Sequence, residues 1–269
     1  MPTMILVCVT LLNLMDALYP CSGTARIVEI AWLLMNDIDV EKANNVYQTK
    51  RHIYLDMCDP DFKSVFQGTV KLPPGGAALA KTHFPQHLMQ EHTKRDTKII
   101  VGMRNPKDNL LSLYHFYNMN EVFGNFSGSF SDFFTLIKEK RMLYGDIFEH
   151  NVGWWSIRDR PNTMYVFYED LTEDPGKEVR RMAEFLGKET SDEDITKIVE
   201  WTTFGNMSQT KSTNYEELKK GIKFQGGPYM RKGTVGDWKN QFNEEQCDYI
   251  DEQYKQSCVP LGLKFRFEL

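Results

Sequence analysis

Lys98-Ile99-Ile100-Val101-Gly102-Met103-Arg104-Asn105-Pro106-Lys107-Asp108 is the stretch that decides the fold. Its first six residues form a short apolar run of strand length, and a run with no polar alternation belongs in a sheet covered on both faces. Asn105-Pro106 then supplies a helix cap and a first-turn proline, whose fixed φ and missing N–H suit that position. A strand that feeds directly into a helix is the unit of a parallel sheet clothed by helices.

Working outward, Ala77–Lys81 and Met164–Tyr168 repeat the strand pattern, and the longer segments between carry helical periodicity. Asp174-Pro175 caps a helix with the apolar stripe Val179, Met182, Ala183 and Leu186, and Gly187 ends it. Ser191 opens another through Ile195, Ile198 and Val199, and Glu245 to Lys255 reads as a last amphipathic helix. The fold class is α/β, with a central parallel sheet flanked by helices. A chain of 269 residues suits one such domain across 1–269. The run from Met4 to Leu18 is apolar, lacks a cationic start and is shorter than the roughly 18 residues of a membrane span. It reads as a buried first strand rather than a signal peptide, and no stable membrane insertion is expected.

Bulk numbers exclude several partners. The net charge of -5 argues against nucleic acid, which calls for a broad basic face. Any anion site must therefore be local. Cys8, Cys21, Cys58, Cys247 and Cys258 are scattered and odd in number, which points to free thiols in a reducing, cytoplasmic setting rather than to disulfides or zinc. No metal site is expected, since Pro85 keeps a helix from presenting His83 and His87 together.

Four places are suited to an anionic nucleotide. Tyr19-Pro20-Cys21-Ser22-Gly23-Thr24 lies between the first strand and the helical pattern Ile27, Ile30, Ala31, Leu34, where backbone N–H groups at a helix start can hold a phosphate. It lacks the G-x-x-x-x-G-K-S/T spacing of nucleoside triphosphate sites, which counts against a P-loop kinase or ATPase. Arg104 ends its strand beside fresh helical donors, and Ser112 lies two turns on, on the same face as Asn105. A bland alternative pairs Arg104 with Asp108 at the surface. Arg231-Lys232-Gly233 joins two cations to a residue without a side chain, at the end of a polar, glycine-bearing stretch from Thr210 to Gly236 that reads as a surface loop and lid. Lys81-Thr82-His83 ends a strand, where a histidine can act as a base near neutral pH.

Taken in chain order, the four segments resemble the cytosolic sulfotransferases over most of the chain. Tyr19-Pro20-x-Ser22-Gly23-Thr24 is similar to their 5′-phosphosulfate loop, Lys81-Thr82-His83 to their catalytic triplet, and Arg104-Asn105-Pro106-Lys107-Asp108 through Ser112 to their 3′-phosphate site. Phe167-Tyr168-Glu169-Asp170 and Arg231-Lys232-Gly233 through Trp238-Lys239 complete the match. The resemblance implies a P-loop-like sulfotransferase fold that uses 3′-phosphoadenosine 5′-phosphosulfate as co-substrate and needs no metal. It implies that Ser22, Gly23 and Thr24 serve the phosphosulfate and that Arg104, Ser112, Arg231, Lys232 and Gly233 hold the 3′-phosphate. Tyr168, Thr202, Thr203, Phe204 and Met207 would surround the adenosine. His83 would take a proton from a small-molecule acceptor (a phenol, alcohol, steroid or amine) while Lys81 stabilises developing charge.

The departures from that pattern are specific. The family carries a lysine at the place of Cys21, and a threonine and a tryptophan at the places of Ala25 and Arg26. Loss of the lysine removes a cation where negative charge develops, so a catalytically impaired nucleotide-binding homologue is the alternative to an active enzyme. The segment of about 1–18 does not resemble the family's start and reads as atypical or truncated. A homodimer is possible, but the dimer motif K-x-x-x-T-V-x-x-x-E is not matched from Lys239, where Asn243, Glu244 and Asp248 stand instead.

Overall fold

The computed structural model describes residues 12–57, 63–64, 68–69, 78–94, 96–119, 126–220 and 228–269. The opening of the apolar run at Met4, and Cys8, Cys58, Phe123, Gly221, Gly226 and Gly227, lie outside the described residues. The strands are β1 (Leu12–Leu18), β2 (Ile53–Tyr54), β3 (Lys63–Ser64), β4 (Gly68–Thr69), β5 (Ala78–Thr82), β6 (Lys98–Met103) and β7 (Thr163–Phe167). Five of them make a sheet in the order β2-β5-β1-β6-β7, and β3 pairs with β4 separately. Every pairing in the larger sheet is parallel. The strand that decides the fold spans the expected residues. β7 ends one residue early because Tyr168 already opens a helix.

The helices that cover the sheet and build the site are α1 (Thr24–Met35), α2 (Pro106–Met119), α3 (Phe130–Lys138), α4 (Ile147–Trp155), α5 (Tyr168–Glu173), α6 (Pro175–Leu186), α7 (Asp192–Trp201), α8 (Phe204–Gln209) and α9 (Glu244–Ser257). The expected caps form. Asp174 Oδ1 accepts the Lys177 N–H at 3.0 Å, and Gly187 ends α6 in the left-handed region at φ 72. Ser191 and Asp194 make a reciprocal capping box at the start of α7.

Period-two alternation splits the strands between two cores. Met15, Ala17, Ile99, Val101 and Met103 pack with Phe133, Trp154 and Ile250 on one face. Leu14, Leu18, Ile100 and Val166 pack with Ile27, Ile30, Val179 and Met182 on the other. The described aromatics Phe126, Phe130, Phe133 and Phe134 pack in or against the first core, with Phe130 4.9 Å from Phe242. No described helix is long and apolar enough to cross a membrane.

β1 is flanked by β5 on one side and β6 on the other, so the chain leaves the centre of the sheet in both directions. In open parallel sheets the crevice at such a point, beyond the carboxyl ends of the strands, is where ligands lie. Here those ends deliver the Tyr19–Gly23 loop, Lys81-Thr82-His83, Arg104 and Tyr168 to one place.

Candidate functional site

The loop after β1 turns tightly because Cys21 and Gly23 both adopt positive φ, 67 and 86. At Gly23 a side chain is also excluded by contact: a Cβ would lie 2.6 Å from Tyr168 Cδ2. The turn leaves the first N–H groups of α1 without intrahelical acceptors, the arrangement that attracts an anion. The Thr24 hydroxyl is buried and has no protein partner. Ser22 turns the other way, its Oγ accepting from Asn109 Nδ2 at 2.7 Å. Its contribution to the loop is therefore backbone.

Arg104 is buried and locked from several sides. Its NH1 donates to Cys21 O at 3.2 Å and to Ser112 Oγ at 3.0 Å, its NH2 donates to Thr234 O at 3.1 Å, and its guanidinium lies 4.3 Å above the Tyr168 ring. Its Nε remains buried without a partner. Asp108 does not pair with it. Instead Asp108 accepts the N–H groups of Gly236 and Trp238 at 2.7 and 2.9 Å, fixing the turn that follows Arg231-Lys232-Gly233.

Within that segment Arg231 and Lys232 both pair with Asp237, at 2.6 and 2.7 Å. Against the upward push of burial, hydrogen bonds from Lys232, Asn240 and Arg231 hold the Asp237 carboxyl well below the usual carboxylate range. Gly233, at φ 70, lets the backbone lie flat on Phe204, since a Cβ there would fall 2.3 Å from that ring. Thr202, Phe204 and Met207 line the same cleft as Tyr168, while Thr203 is exposed and its hydroxyl accepts the Asn206 N–H at 3.2 Å.

At the other end of the cleft stand Lys81 and His83. His83 is buried between the rings of Tyr54 and Tyr144, with centroids 5.5 and 5.4 Å away. Its Nδ1 lies 2.7 Å from Leu18 O. A carbonyl only accepts, so Nδ1 carries the hydrogen and a neutral ring has its lone pair on Nε2. Burial first, then the nearby Lys81 charge, push His83 well below its ordinary value, which keeps the ring neutral. Burial likewise lowers Lys81 to about 8, with Asp56 and Asp16 opposing. Its Nζ sits 3.9 Å over the Tyr54 ring. Cys21 contributes no charge here, because burial pushes its thiol up to about 12 against the influence of Arg104.

Sequence reading missed Asp56, whose carboxylate takes the Thr82 hydroxyl at 2.6 Å and the His83 N–H at 2.8 Å and so fixes the end of β5. It also missed the aromatic wall of the cleft, with Tyr54 and Tyr144 against His83 and Phe116 and Tyr229 further along the lining. These come from irregular or distant segments with no local signal. The Thr210–Gly236 stretch, read as surface, is partly interior: Ser212, Thr213 and Tyr215 are buried. The reason is a polar hub. The Tyr215 hydroxyl bonds Gln48, and Glu29 accepts from Gln48, Arg51 and Trp201 at 2.5, 2.8 and 2.7 Å. Tyr215 also stacks on Tyr229 at 4.4 Å, tying the described part of the stretch to the wall of the cleft.

The cleft can therefore hold an elongated anion, with cations at one end and a neutral histidine at the other. The buried, unpartnered Thr24 Oγ1, Arg104 Nε and Arg231 Nε are donors that phosphate oxygens would satisfy.

Comparison with known proteins agrees with this geometry. Residues 17–261 match the protein family described as "Sulfotransferase domain". Rat sulfotransferase 1C2 is 35% identical over 259 residues, covering 96% of this chain and 86% of the relative. The solved retinol dehydratase in complex with androsterone and the inactive cofactor PAP superposes with a TM-score of 0.83 at 26% identity, covering 98% of this chain and 88% of that one. A second retinol dehydratase structure, with retinol and PAP, gives 0.82 at 27% identity over 94% and 83% of the two chains.

Proposed function

Because the chain belongs to the sulfotransferase family, we propose that it transfers a sulfuryl group from 3′-phosphoadenosine 5′-phosphosulfate to the hydroxyl of a small apolar acceptor, with His83 as general base. The observation that carries this reading is the Nδ1 contact of His83 with Leu18 O, which leaves Nε2 free to take a proton. As the acceptor oxygen bonds to sulfur, the bond from sulfur to the 5′-phosphate oxygen breaks and the acceptor proton passes to Nε2. Lys81 and the N–H groups of the loop stabilise the negative charge left on the departing phosphate. The products are a sulfate ester and adenosine 3′,5′-bisphosphate.

Arg104, Ser112, Arg231, Lys232 and Gly233 hold the 3′-phosphate in this reading. Tyr168, Thr202, Phe204 and Met207 frame the adenosine, with Thr203 joining through its backbone. Arg26 lines the cleft where the family has tryptophan and offers a planar guanidinium to the base. Among phenols, alcohols, steroids and amines, the aromatic wall beside His83 favours apolar alcohols and phenols, and the two structural neighbours above were solved with androsterone and retinol. The free thiols of Cys21, Cys247 and Cys258 suit a cytoplasmic setting.

A second reading rests on Cys21, whose neutral thiol stands where the family has a cation. It makes the chain a nucleotide-binding homologue with little or no turnover. The deciding experiment incubates the protein with labelled donor and a panel of apolar alcohols and phenols. Transfer is expected to fall by about 10²–10⁴ in His83→Ala, with adenosine 3′,5′-bisphosphate binding retained. Undiminished turnover in that variant rejects His83 as the base, and binding without transfer by the unsubstituted chain selects the second reading.

A further inference from the structure

Asp16 lies in the middle strand of the sheet with nothing to bind it. It is fully buried, and neither carboxyl oxygen has a hydrogen-bond partner. An unpaired carboxylate is costly in such a place and ordinarily takes up a proton or meets a cation. One cation is close by construction. Asp16 and Lys81 are register partners across the parallel β1/β5 pair, so their side chains leave the same face of the sheet. Beside Asp16 the same face carries Ile100 from β6, with Ile27, Ile30 and Ala31 of α1 packed over the same core, while Tyr54 flanks Lys81 from β2.

We propose, building on the sulfotransferase reading above, that Asp16 is a positioning residue that acts through Lys81, a buried proton reserve that keeps the lysine cationic at the sulfuryl end of the cleft. Two features of the cleft give the pair its importance. Cys21 stands where a second lysine would be, so the cation left beside His83 is Lys81. That lysine is itself buried, which discourages its charged form.

Burial raises the Asp16 carboxyl to about 8 against the Lys81 charge, and lowers Lys81 to about 8 against Asp56 and Asp16. Both sites are protonated at neutral pH. On the alkaline side one proton leaves to solvent. If it leaves Asp16, a carboxylate stands beside an ammonium; if it leaves Lys81, two neutral groups remain. Attraction favours the first, and the lysine keeps its three protons further into the alkaline range. The remaining titratable groups around Lys81 are Tyr54, whose hydroxyl burial pushes well above its ordinary value, Asp56, which is already hydrogen-bonded by Thr82 and His83, His52 and His83, both of which burial keeps neutral, and Arg51 beyond His52.

The test follows the Lys81 charge directly in the free, full-length protein, by the ¹³Cε resonance of labelled lysine assigned with Lys81→Arg. In Asp16→Asn the Lys81 titration is expected about one pH unit lower than in the unsubstituted chain. The alkaline limb of kcat/KM should move with it. A purely structural Asp16 alters the melting temperature and leaves the Lys81 titration in place, and that result overturns the proposal. Should Asp16→Asn fail to fold, the ¹³Cγ resonance of Asp16 in the unsubstituted chain decides: it must titrate in the same range as Lys81, and a carboxylate ionised throughout the neutral range overturns the pair. A shifted Lys81 in a chain that transfers no sulfuryl group upholds the pair and removes the functional reading instead.

Discussion

The two ends of the cleft are built on different terms. At the proposed 3′-phosphate end, Arg104 is held by Cys21 O, Ser112 Oγ and Thr234 O, and Arg231 and Lys232 share Asp237. At the proposed sulfuryl end, Lys81 rests on the Tyr54 ring, Cys21 is neutral, and His83 bonds one backbone carbonyl between the Tyr54 and Tyr144 rings. In the proposed function, recognition is thus distributed over several mutually supporting contacts, whereas chemistry rests on two side chains whose ionisation burial shifts. Sequence change at the second end is therefore expected to lower turnover more than binding.

The largest effect that would sharpen this contrast is at Arg104. Arg104→Ala should weaken adenosine 3′,5′-bisphosphate binding by about 2–5 kcal/mol, because it strips a buried, hydrogen-bonded charge from its partners. Calorimetry with adenosine 5′-phosphate, which lacks the ribose phosphate, should show little change. Equal losses for both ligands would break the assignment of that end. A smaller effect, of opposite sign, is expected at the other end. Cys21→Lys should raise kcat by up to about a hundredfold with nearly constant nucleotide affinity, because the restored cation faces charge that appears only in the transition state. A gain in affinity without a gain in rate would show that position 21 serves recognition after all.

The smallest effect is a flat region in the pH profile. Burial and the Lys81 charge hold His83 below its ordinary 6.5, so over that interval the unfolded chain binds a proton that the folded chain refuses. The associated stability is complete above 6.5 and is lost as pH falls through the folded value. Transfer should therefore stay level from neutral pH down through the ordinary histidine value, with its acid limb below 6.5. An acid limb above that value would mean that the ring is not held neutral.

Much of the first end was legible because its signals are local. Strand β6, the Asn105-Pro106 start and Ser112 lie within one short run, and the helix period alone brings Ser112 onto the right face for Arg104. The loop Tyr19–Thr24 and the triplet Lys81-Thr82-His83 were legible for the same reason. The sulfuryl end was harder. Asp56 reaches His83 from a short turn of helix at Leu55–Met57, which carries no period. In the sequence Asp16 is one polar residue within an apolar run, and its meeting with Lys81 follows from strand order and register, which a sequence does not print. Ser22 illustrates the converse: a hydroxyl in the right loop is claimed by Asn109, a buried partner on a helix far along the chain.

The position of β1 has one more consequence, for biosynthesis. Its partners are β5 and β6, which emerge from the ribosome long after it. At about 5–20 residues per second β1 waits on the order of several seconds with both hydrogen-bonding edges unpaired and its apolar faces bare. A nascent chain of this design is thus most exposed to aggregation between the synthesis of β1 and that of β6, and chaperone capture of the segment around Leu14–Leu18 would guard the interval before the sheet can close around it.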